Sequence, residues 1–199
     1  HGMYAECEAH LNNYELTDHD DKLDTYLQLR FEYHIKVGEP LHARQFASSL
    51  YDTDTSNISY RQSLLGVLTL ISDASAILAI VDKTIENYPL TLQEQIYVSL
   101  AFWQLGKKQE SVSLLLQTKT QGELYEAEQR LAGLIDRFRH LGQHDSALKA
   151  GAQGLLLRPS PDNLIRFAFC LFKLGQFDAA RQCLDGSIDT THGGIQIRH

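Results

Sequence analysis

Apolar residues recur along the chain with the spacing of one helical face. Ahead of Gly142 they occupy the i, i+3, i+4 and i+7 positions of a helix: Leu131, Leu134, Ile135 and Phe138. Residues 64–71 form a similar run, which ends just before Ser72. After such runs comes a second helical stretch, such as residues 145–156, which carries small residues where two helices would approach closely. The pattern therefore predicts pairs of helices joined by short turns.

A short motif gives these helix pairs a period. Leu-Gly, followed five positions after the glycine by a small residue, occurs at Gly106, Gly142 and Gly175. The glycines lie roughly 34 residues apart, which is the length of a helical-repeat unit. Gly38 lies two such periods before Gly106, so the period requires a further copy near Ser72. The chain is thus predicted to contain about five units.

The glycines have a physical role in this pattern. Glycine readily adopts the left-handed conformation that ends an α-helix, so each one is predicted to follow the last residue of a first helix. Pro89 and Pro159 then follow two of the second helices, as is common just past a helix end. One helix–turn–helix unit cannot bury its apolar face alone, so the units are expected to stack.

These recurring residues resemble the tetratricopeptide repeat (TPR) family. The turn position falls at Gly38, Ser72, Gly106, Gly142 and Gly175, and the position five residues later at Ala43, Ile77, Ser111, Ala147 and Ala180. The family has a small residue at one position of the first helix. Three copies here have a large residue at that position, namely Phe31, Leu65 and Ile135, so the repeats are degenerate. The resemblance implies an all-α, right-handed α-solenoid of about five TPR-like helix–turn–helix repeats with an N-terminal capping helix.

The same pattern divides the chain into segments. Residues 1–3 are expected to be a tag remnant, residues 4–23 an N-terminal helix and an acidic linker, and residues 191–199 a tail that is either loose or the start of a further helix. The repeat array is predicted over residues 24–190, with repeats near 24–57, 58–91, 92–127, 128–160 and 161–190.

Charge and cysteine content narrow the classes of partner. The chain has 18 Lys+Arg against 25 Asp+Glu, a net charge of -7, which disfavours nucleic acid. Its longest apolar run, residues 64–71, is too short to span a bilayer, so no membrane partner is predicted. Cys7, Cys170 and Cys183 form no C-x-x-C pair; buried free thiols in a reducing, cytoplasmic compartment are favoured over a Cys170–Cys183 disulfide.

The sequence contains no motif that indicates an enzymatic reaction. It lacks H-E-x-x-H, a phosphate-binding glycine loop and a nucleophile elbow, so we predict no enzyme activity and no cofactor. His140 and His144 flank Gly142, and His34 and His42 flank Gly38. Each pair is interpreted as turn histidines, and no metal site is predicted.

The TPR resemblance also implies where a partner would bind. In that family the first helices of the repeats line a concave groove. The residues at its groove-facing positions here are Gln93, Ile96, Tyr97, Leu100, Trp103 and Gln104 in the third repeat, Gln129, Ala132, Gly133, Asp136, Arg139 and His140 in the fourth, and Asp162, Ile165, Arg166, Phe169, Phe172 and Lys173 in the fifth.

From this set we select candidate partner-binding residues by their chemistry. Aromatic and arginine side chains are enriched in binding hot spots, and Trp103 is the leading candidate. Packing between helices is an equally good interpretation for Leu100, Phe169 and Phe172 taken singly. The candidates are Gln93, Tyr97, Trp103, Asp136, Arg139, Arg166, Phe169 and Lys173.

The predicted function is therefore a non-catalytic scaffold module that binds a protein or peptide segment, and we expect this segment to be acidic or aromatic. We expect it to be the interaction or regulatory domain of a larger cytoplasmic protein, for instance in bacterial signalling. The alternative is a helical-repeat domain that senses a small ligand or a signal peptide. A chaperone-type carboxylate clamp is not expected. Such a clamp needs basic and amide residues at set positions of three repeats, and here only Arg166 matches.

Overall fold

The computed structural model describes residues 6, 9–10, 23–85, 88–117, 120–185, 188–189 and 196–197. The chain divides into two compact units, His1–Ile71 and Ser72–His199. The boundary lies between the two helices of the predicted second repeat. The predicted N-terminal helix, most of the acidic linker and most of the tail lie outside the described residues.

The first unit contains three successive helices: α1 (Leu23–Lys36), α2 (Pro40–Thr53) and α3 (Ile58–Leu70). Helix α2 packs against both α1 and α3. Its buried face carries Ala43, Ala47 and Leu50, spaced as the helical pattern requires. Helix α3 begins where the Asn57 side chain accepts hydrogen bonds from the backbone N–H groups of its first turn.

The second unit contains the remaining described helices: α4 (Ala74–Thr84), α5 (Leu92–Gln104), α6 (Lys108–Leu116), α7 (Gln121–His140), α8 (His144–Leu157), α9 (Pro161–Lys173) and α10 (Phe177–Leu184). Strand β1 (Ile188–Asp189) pairs antiparallel with β2 (Gln196–Ile197) close to the end of the chain. The predicted all-α, helical-repeat fold is confirmed, and this short strand pair is the one addition among the described residues. None of the described helices is both long and apolar enough to cross a membrane.

In the second unit the helices pack as stacked hairpins. Helix α5 packs against α6, α7 against α8, and α9 against α10. Between hairpins, α5 contacts α7, α6 contacts α8, and α8 contacts α9. These hairpins correspond to the predicted third, fourth and fifth repeats. Helix α7 begins at Gln121, ahead of the predicted repeat start at residue 128, because Thr120 and Glu123 form a capping box there.

Left-handed residues end the first helices at the positions that the sequence indicates. Among the described residues, φ is positive at Gly38 (82°), Ser72 (59°), Gly106 (80°), Gly142 (71°) and Gly175 (75°). Hydrogen bonds of the Schellman type accompany each glycine: the N–H of Gly142 donates to the Arg139 carbonyl at 3.0 Å, and that of Gln143 to the Phe138 carbonyl at 2.8 Å. The left-handed turn predicted at Ser72 is thereby confirmed, although it lacks a glycine.

The position five residues after each turn is buried in every copy: Ala43, Ile77, Ser111, Ala147 and Ala180. The serine at this position has a specific partner. The Gln153 side-chain amide donates to the hydroxyl oxygens of Ser99 at 2.7 Å and Ser111 at 2.9 Å. All three residues are fully buried, and their hydrogen bonds join α5, α6 and α8. A buried polar contact thus replaces purely apolar packing in the third repeat.

A second buried polar contact fixes α7 against the start of α9. The Glu128 carboxylate, which is 5% exposed, accepts hydrogen bonds from the Ser160 hydroxyl at 3.0 Å and the Asn163 amide at 2.9 Å. Arg158 also donates to it at 3.4 Å. Because Ser160 is the N-cap of α9, Glu128 holds the beginning of that helix in place.

Cys170 and Cys183 are buried free cysteines, which confirms the prediction for these two residues and excludes a disulfide between them; Cys7 lies outside the described residues. Burial raises the pKa of each thiol to about 11. Both side chains are therefore protonated at neutral pH and behave as small apolar groups.

Gly133, inside α7, and Gly142, in the turn after it, are expected to respond oppositely to substitution by alanine. Neither Gly133 nor Gly142 has an atom within 4 Å of where a Cβ would stand, so backbone conformation alone decides the outcome. Gly142→Ala should lower the free energy of unfolding by about 1–2 kcal/mol, since alanine is strained at positive φ. Gly133→Ala should raise it by about 0.5–1 kcal/mol, since alanine favours a helix interior. Urea unfolding of both variants measures this, and equal signs would contradict the assigned turn.

Removing the Glu128 carboxylate is expected to destabilise the second unit. Glu128→Ala leaves the Ser160 and Asn163 donors without their acceptor and should cost about 1–3 kcal/mol. Glu126→Ala on the same helix is the control, because Glu126 makes an exposed pair with Arg130 worth at most about 0.5 kcal/mol. Thermal and urea unfolding distinguish the two variants, and a Glu128→Ala loss no larger than the control's would refute this role for the carboxylate.

The raised thiol pKa values predict resistance to alkylation. In a Cys7→Ser variant, Cys170 and Cys183 should react with a thiol reagent at about pH 8 only after unfolding, because the native thiols are buried and protonated. Both should react at once in denaturant. Their native-state pKa also implies that stability contributed by the neutral thiols is present below about pH 9 and falls as the pH rises toward about 11. Rapid native-state labelling would contradict this assignment.

Candidate functional site

An open cavity of about 200 Å³ lies between α5 and α7, and we refer to it as the α5–α7 cavity. Predicted groove positions supply part of its wall, namely Gln93, Ile96, Tyr97 and Gly133. The remaining lining residues are Arg130, Leu134 and Arg137, which were not among the predicted positions. The structure therefore brings two of the candidate residues, Gln93 and Tyr97, to one site with two arginines.

The α7 side of the cavity follows from helical spacing. Arg130, Gly133, Leu134 and Arg137 stand at i, i+3, i+4 and i+7, so they share one face of the helix. Gly133 contributes no side chain, and the place that a Cβ would occupy is open space. The cavity thus has a gap over Gly133 with an arginine one turn away on either side.

Hydrogen bonds orient the side chains of this site. Tyr97 is 4% exposed, and Gln93 donates from its amide to the Tyr97 hydroxyl while accepting from Arg130. Arg130 also donates to the Glu126 carboxylate, at 3.0 Å from Nε and 2.6 Å from Nη2. Burial, opposed by the Gln93 hydrogen bond and the nearby arginines, raises the pKa of Tyr97, so its hydroxyl is neutral. Arginine forks suit a carboxylate, which is the chemistry that this cavity offers.

A second feature of this unit is a basic–aromatic patch, which we define as Arg139, Phe169, Phe172 and Lys173. The Arg139 guanidinium carbon lies 4.1 Å from the centroid of the Phe169 ring, and the Lys173 ammonium 5.3 Å from it. Both distances are within cation–π range. Phe172 is 53% exposed, and its ring centroid is 6.5 Å from that of Phe169.

Three of the eight candidate residues lie in the patch, and a fourth, Asp136, lies beside it. Arg139 forms an ion pair with Asp136, at 3.0 Å between Nη1 and Oδ1. Asp136, Arg139, Phe169 and Lys173 are therefore neighbours, although they come from two predicted repeats. The surface so formed has two cations and exposed aromatic edges, a composition typical of protein-binding surfaces.

The other candidates have different surroundings. Trp103 is partly buried and packs against the core cluster that contains Leu155 and Phe167, and the Lys108 ammonium lies 5.8 Å from its ring. Arg166 donates to the Asn163 side-chain oxygen at 3.3 Å. Neither Trp103 nor Arg166 lines the α5–α7 cavity.

Besides Ile96 and Tyr97, the predicted groove positions Leu100 and Ala132 are buried, with exposed fractions of 1% and 8%. For Leu100 this confirms the packing interpretation.

Sequence reasoning missed Arg130 and Arg137, which supply the charge of the cavity. Each lies one residue after a predicted groove position of the fourth repeat: Arg130 follows Gln129, and Arg137 follows Asp136. Their spacing around Gly133 could have identified them from the sequence. Residues at i, i+3 and i+7 share one face of a helix, however the repeats are aligned.

The comparisons with known proteins add little to this geometry. No family model matches the chain, and the search of curated proteins found no match. Solved structures of MamA are similar: one has 14% identity and a TM-score of 0.49 over 83% of this chain and 90% of that chain. MamA AMB-1 has 19% identity and a TM-score of 0.46 over 83% and 90%, and MamA MSR-1 has 18% and 0.44 over 82% and 94%. The likeness is weak, and the fold assignment stands on the helical hairpins and their turn residues.

Proposed function

We propose that the chain is a non-catalytic helical-repeat module that binds a protein or peptide segment through the face formed by α5, α7 and α9. The observation that carries this proposal is the α5–α7 cavity, where Arg130 and Arg137 flank the open space over Gly133. The basic–aromatic patch supplies further cations, beside an aromatic ring, where α7 meets α9.

The size and chemistry of the cavity favour one acidic side chain as its occupant. Its volume of about 200 Å³ is smaller than the range of about 300–1,000 Å³ that is typical of small-molecule sites. A glutamate or aspartate of a longer segment fits this space and pairs with the guanidinium groups. The volume therefore favours a peptide segment over the alternative of a small-ligand sensor.

The basic–aromatic patch indicates what else the segment contains. Phe172 and Phe177 are 53% and 60% exposed, and their ring centroids lie 5.3 Å apart. Exposed aromatic edges beside Arg139 and Lys173 would accept an aromatic or acidic residue of the partner. The proposed partner is thus a segment with an acidic residue for the cavity and an aromatic residue for the patch.

We also propose a cytoplasmic setting and a regulatory role for this module. The support for the first is chemical: Cys170 and Cys183 are free and buried, as is usual in a reducing compartment. The regulatory role, as the interaction part of a larger signalling protein, extends the binding function and depends on it.

Selection from a random peptide library displayed on phage tests the binding proposal with the whole chain. We expect selected peptides to carry an acidic residue near an aromatic one. Gly133→Leu should abolish their binding by filling the cavity, whereas Gly122→Leu on the same helix should not, because Gly122 is exposed and lies outside the cavity. Arg137→Ala should weaken binding roughly ten- to hundredfold, the range expected for a lost charge-assisted hydrogen bond.

Circular dichroism and urea unfolding provide the folding control for these variants. Affinity measured by fluorescence polarisation should also fall as ionic strength rises, since the contacts are between charges. If the selected peptides lack acidic residues, or if Gly133→Leu binds them as well as the unaltered chain does, the cavity is not the binding site.

A further inference from the structure

We infer that His34, Glu39 and His42 form a binding site for a divalent transition-metal ion of the zinc class. These residues surround the turn between α1 and α2, in the first unit. The Nδ1 atom of His34 lies 2.9 Å from Oε2 of Glu39, and the Nδ1 atom of His42 lies 3.3 Å from the same oxygen. The candidate ligand atoms of the three residues all lie within 4.8 Å of one another.

These separations are close to those of a tetrahedral site. With zinc bonds of about 2.0–2.2 Å, neighbouring ligand atoms of a tetrahedron are about 3.3 Å apart. The two measured nitrogen-to-oxygen distances already approximate this value. To bind one ion, the two imidazole nitrogens would have to lie at a similar distance from each other. The His42 side chain is exposed and can rotate to bring them there.

The backbone holds the three residues together independently of their side chains. Gly38, with φ of 82°, ends α1, and the N–H of Glu39 donates to the His34 carbonyl at 2.8 Å. Glu39 is the N-cap of α2, and His42 lies in the first turn of that helix. The turn therefore places all three side chains on one side of the hairpin end before any ion binds, which lowers the cost of ordering a site.

The Glu39 carboxylate is directed at the histidines instead of at the helix. An N-cap side chain usually accepts a hydrogen bond from the first turn, but Glu39 makes no such bond. Its Oε2 atom instead lies close to the Nδ1 atoms of both imidazole rings. The carboxylate is thus placed to act as a ligand together with the two histidines.

Packing fixes one ligand and leaves the others accessible. The His34 side chain is 12% exposed, and its ring stacks on Phe46 with centroids 5.3 Å apart and planes 8° apart. Tyr33 contacts the same ring edge-on at 5.2 Å. Glu39 and His42 are 49% and 63% exposed, so an ion can enter from solvent and water can complete its coordination.

The donor set identifies the class of ion. Two imidazole nitrogens and one carboxylate oxygen suit zinc, nickel or copper, whereas magnesium and calcium prefer oxygen ligands alone. A bound ion would connect the last turn of α1 to the first turn of α2 and so stabilise this hairpin. The sequence showed the two histidines across Gly38, but the site depends on Glu39 between them.

Isothermal titration of zinc into the whole chain tests this site. The variants are His42→Ala and Glu39→Gln, both at exposed side chains, and His140→Ala is the matched control at an exposed histidine of another turn. The chain has 9 histidines. Zinc binding at histidines outside the site is the same in the unaltered chain and in both site variants, and the control lacks only the contribution of His140. We expect the unaltered chain and His140→Ala to bind zinc equally, and both site variants to bind at least about tenfold more weakly.

Thermal unfolding supplies an independent readout. Zinc should raise the melting temperature of the unaltered chain and of His140→Ala by binding the folded state, and should do so much less for the two site variants. Circular dichroism without metal checks that the variants are folded. The site is disproved if the unaltered chain does not bind zinc, if either site variant binds as tightly as the control, or if magnesium raises the melting temperature as much as zinc does.

Discussion

The architecture depends on one backbone constraint, the left-handed residue that ends the first helix of each hairpin. A right-handed helix cannot continue through a residue with positive φ, so the chain turns back at that point. The amides that follow, such as that of Gln143, then satisfy carbonyls of the last helical turn. The position five residues later is buried in every copy, from Ala43 to Ala180. The turn thereby sets which residue of the second helix is buried, whether that residue is small, as at Ala147, or large, as at Ile77.

This constraint made the fold predictable from the sequence. Glycine at positive φ is a strong local signal, and a fixed period extended it to Ser72, where no glycine stands. The start of α7 was less predictable, because a constant repeat length ignores the capping box of Thr120 and Glu123 that lets this helix begin earlier. The turn residues and their spacing can be recognised directly in the sequence. The length of each helix also depends on how its ends are capped.

The proposed binding face was only partly predictable, and the reason is physical. Positions counted from the repeat register identified Gln93 and Tyr97, and they grouped Arg139 with Phe169. They did not identify Arg130 or Arg137, because the α5–α7 cavity arises from how two helices pack around an absent side chain at Gly133. A gap between helices is a tertiary property, and no single helix shows it. The negative net charge of the chain likewise gave no sign of a local cationic surface.

Buried polar contacts connect the stability of this proposed binding face to the role that we propose for it. Glu128 can accept from Ser160 and Asn163 only when α7 and α9 are in one register, so any sliding of the helices would leave a carboxylate buried and unpaired. The same register sets the distance between Arg139 on α7 and Phe169 on α9. A partner segment therefore meets side chains whose spacing is fixed before binding, and it need not supply the free energy of ordering them. On this argument, changes to buried residues such as Glu128 affect affinity through the positions of exposed ones.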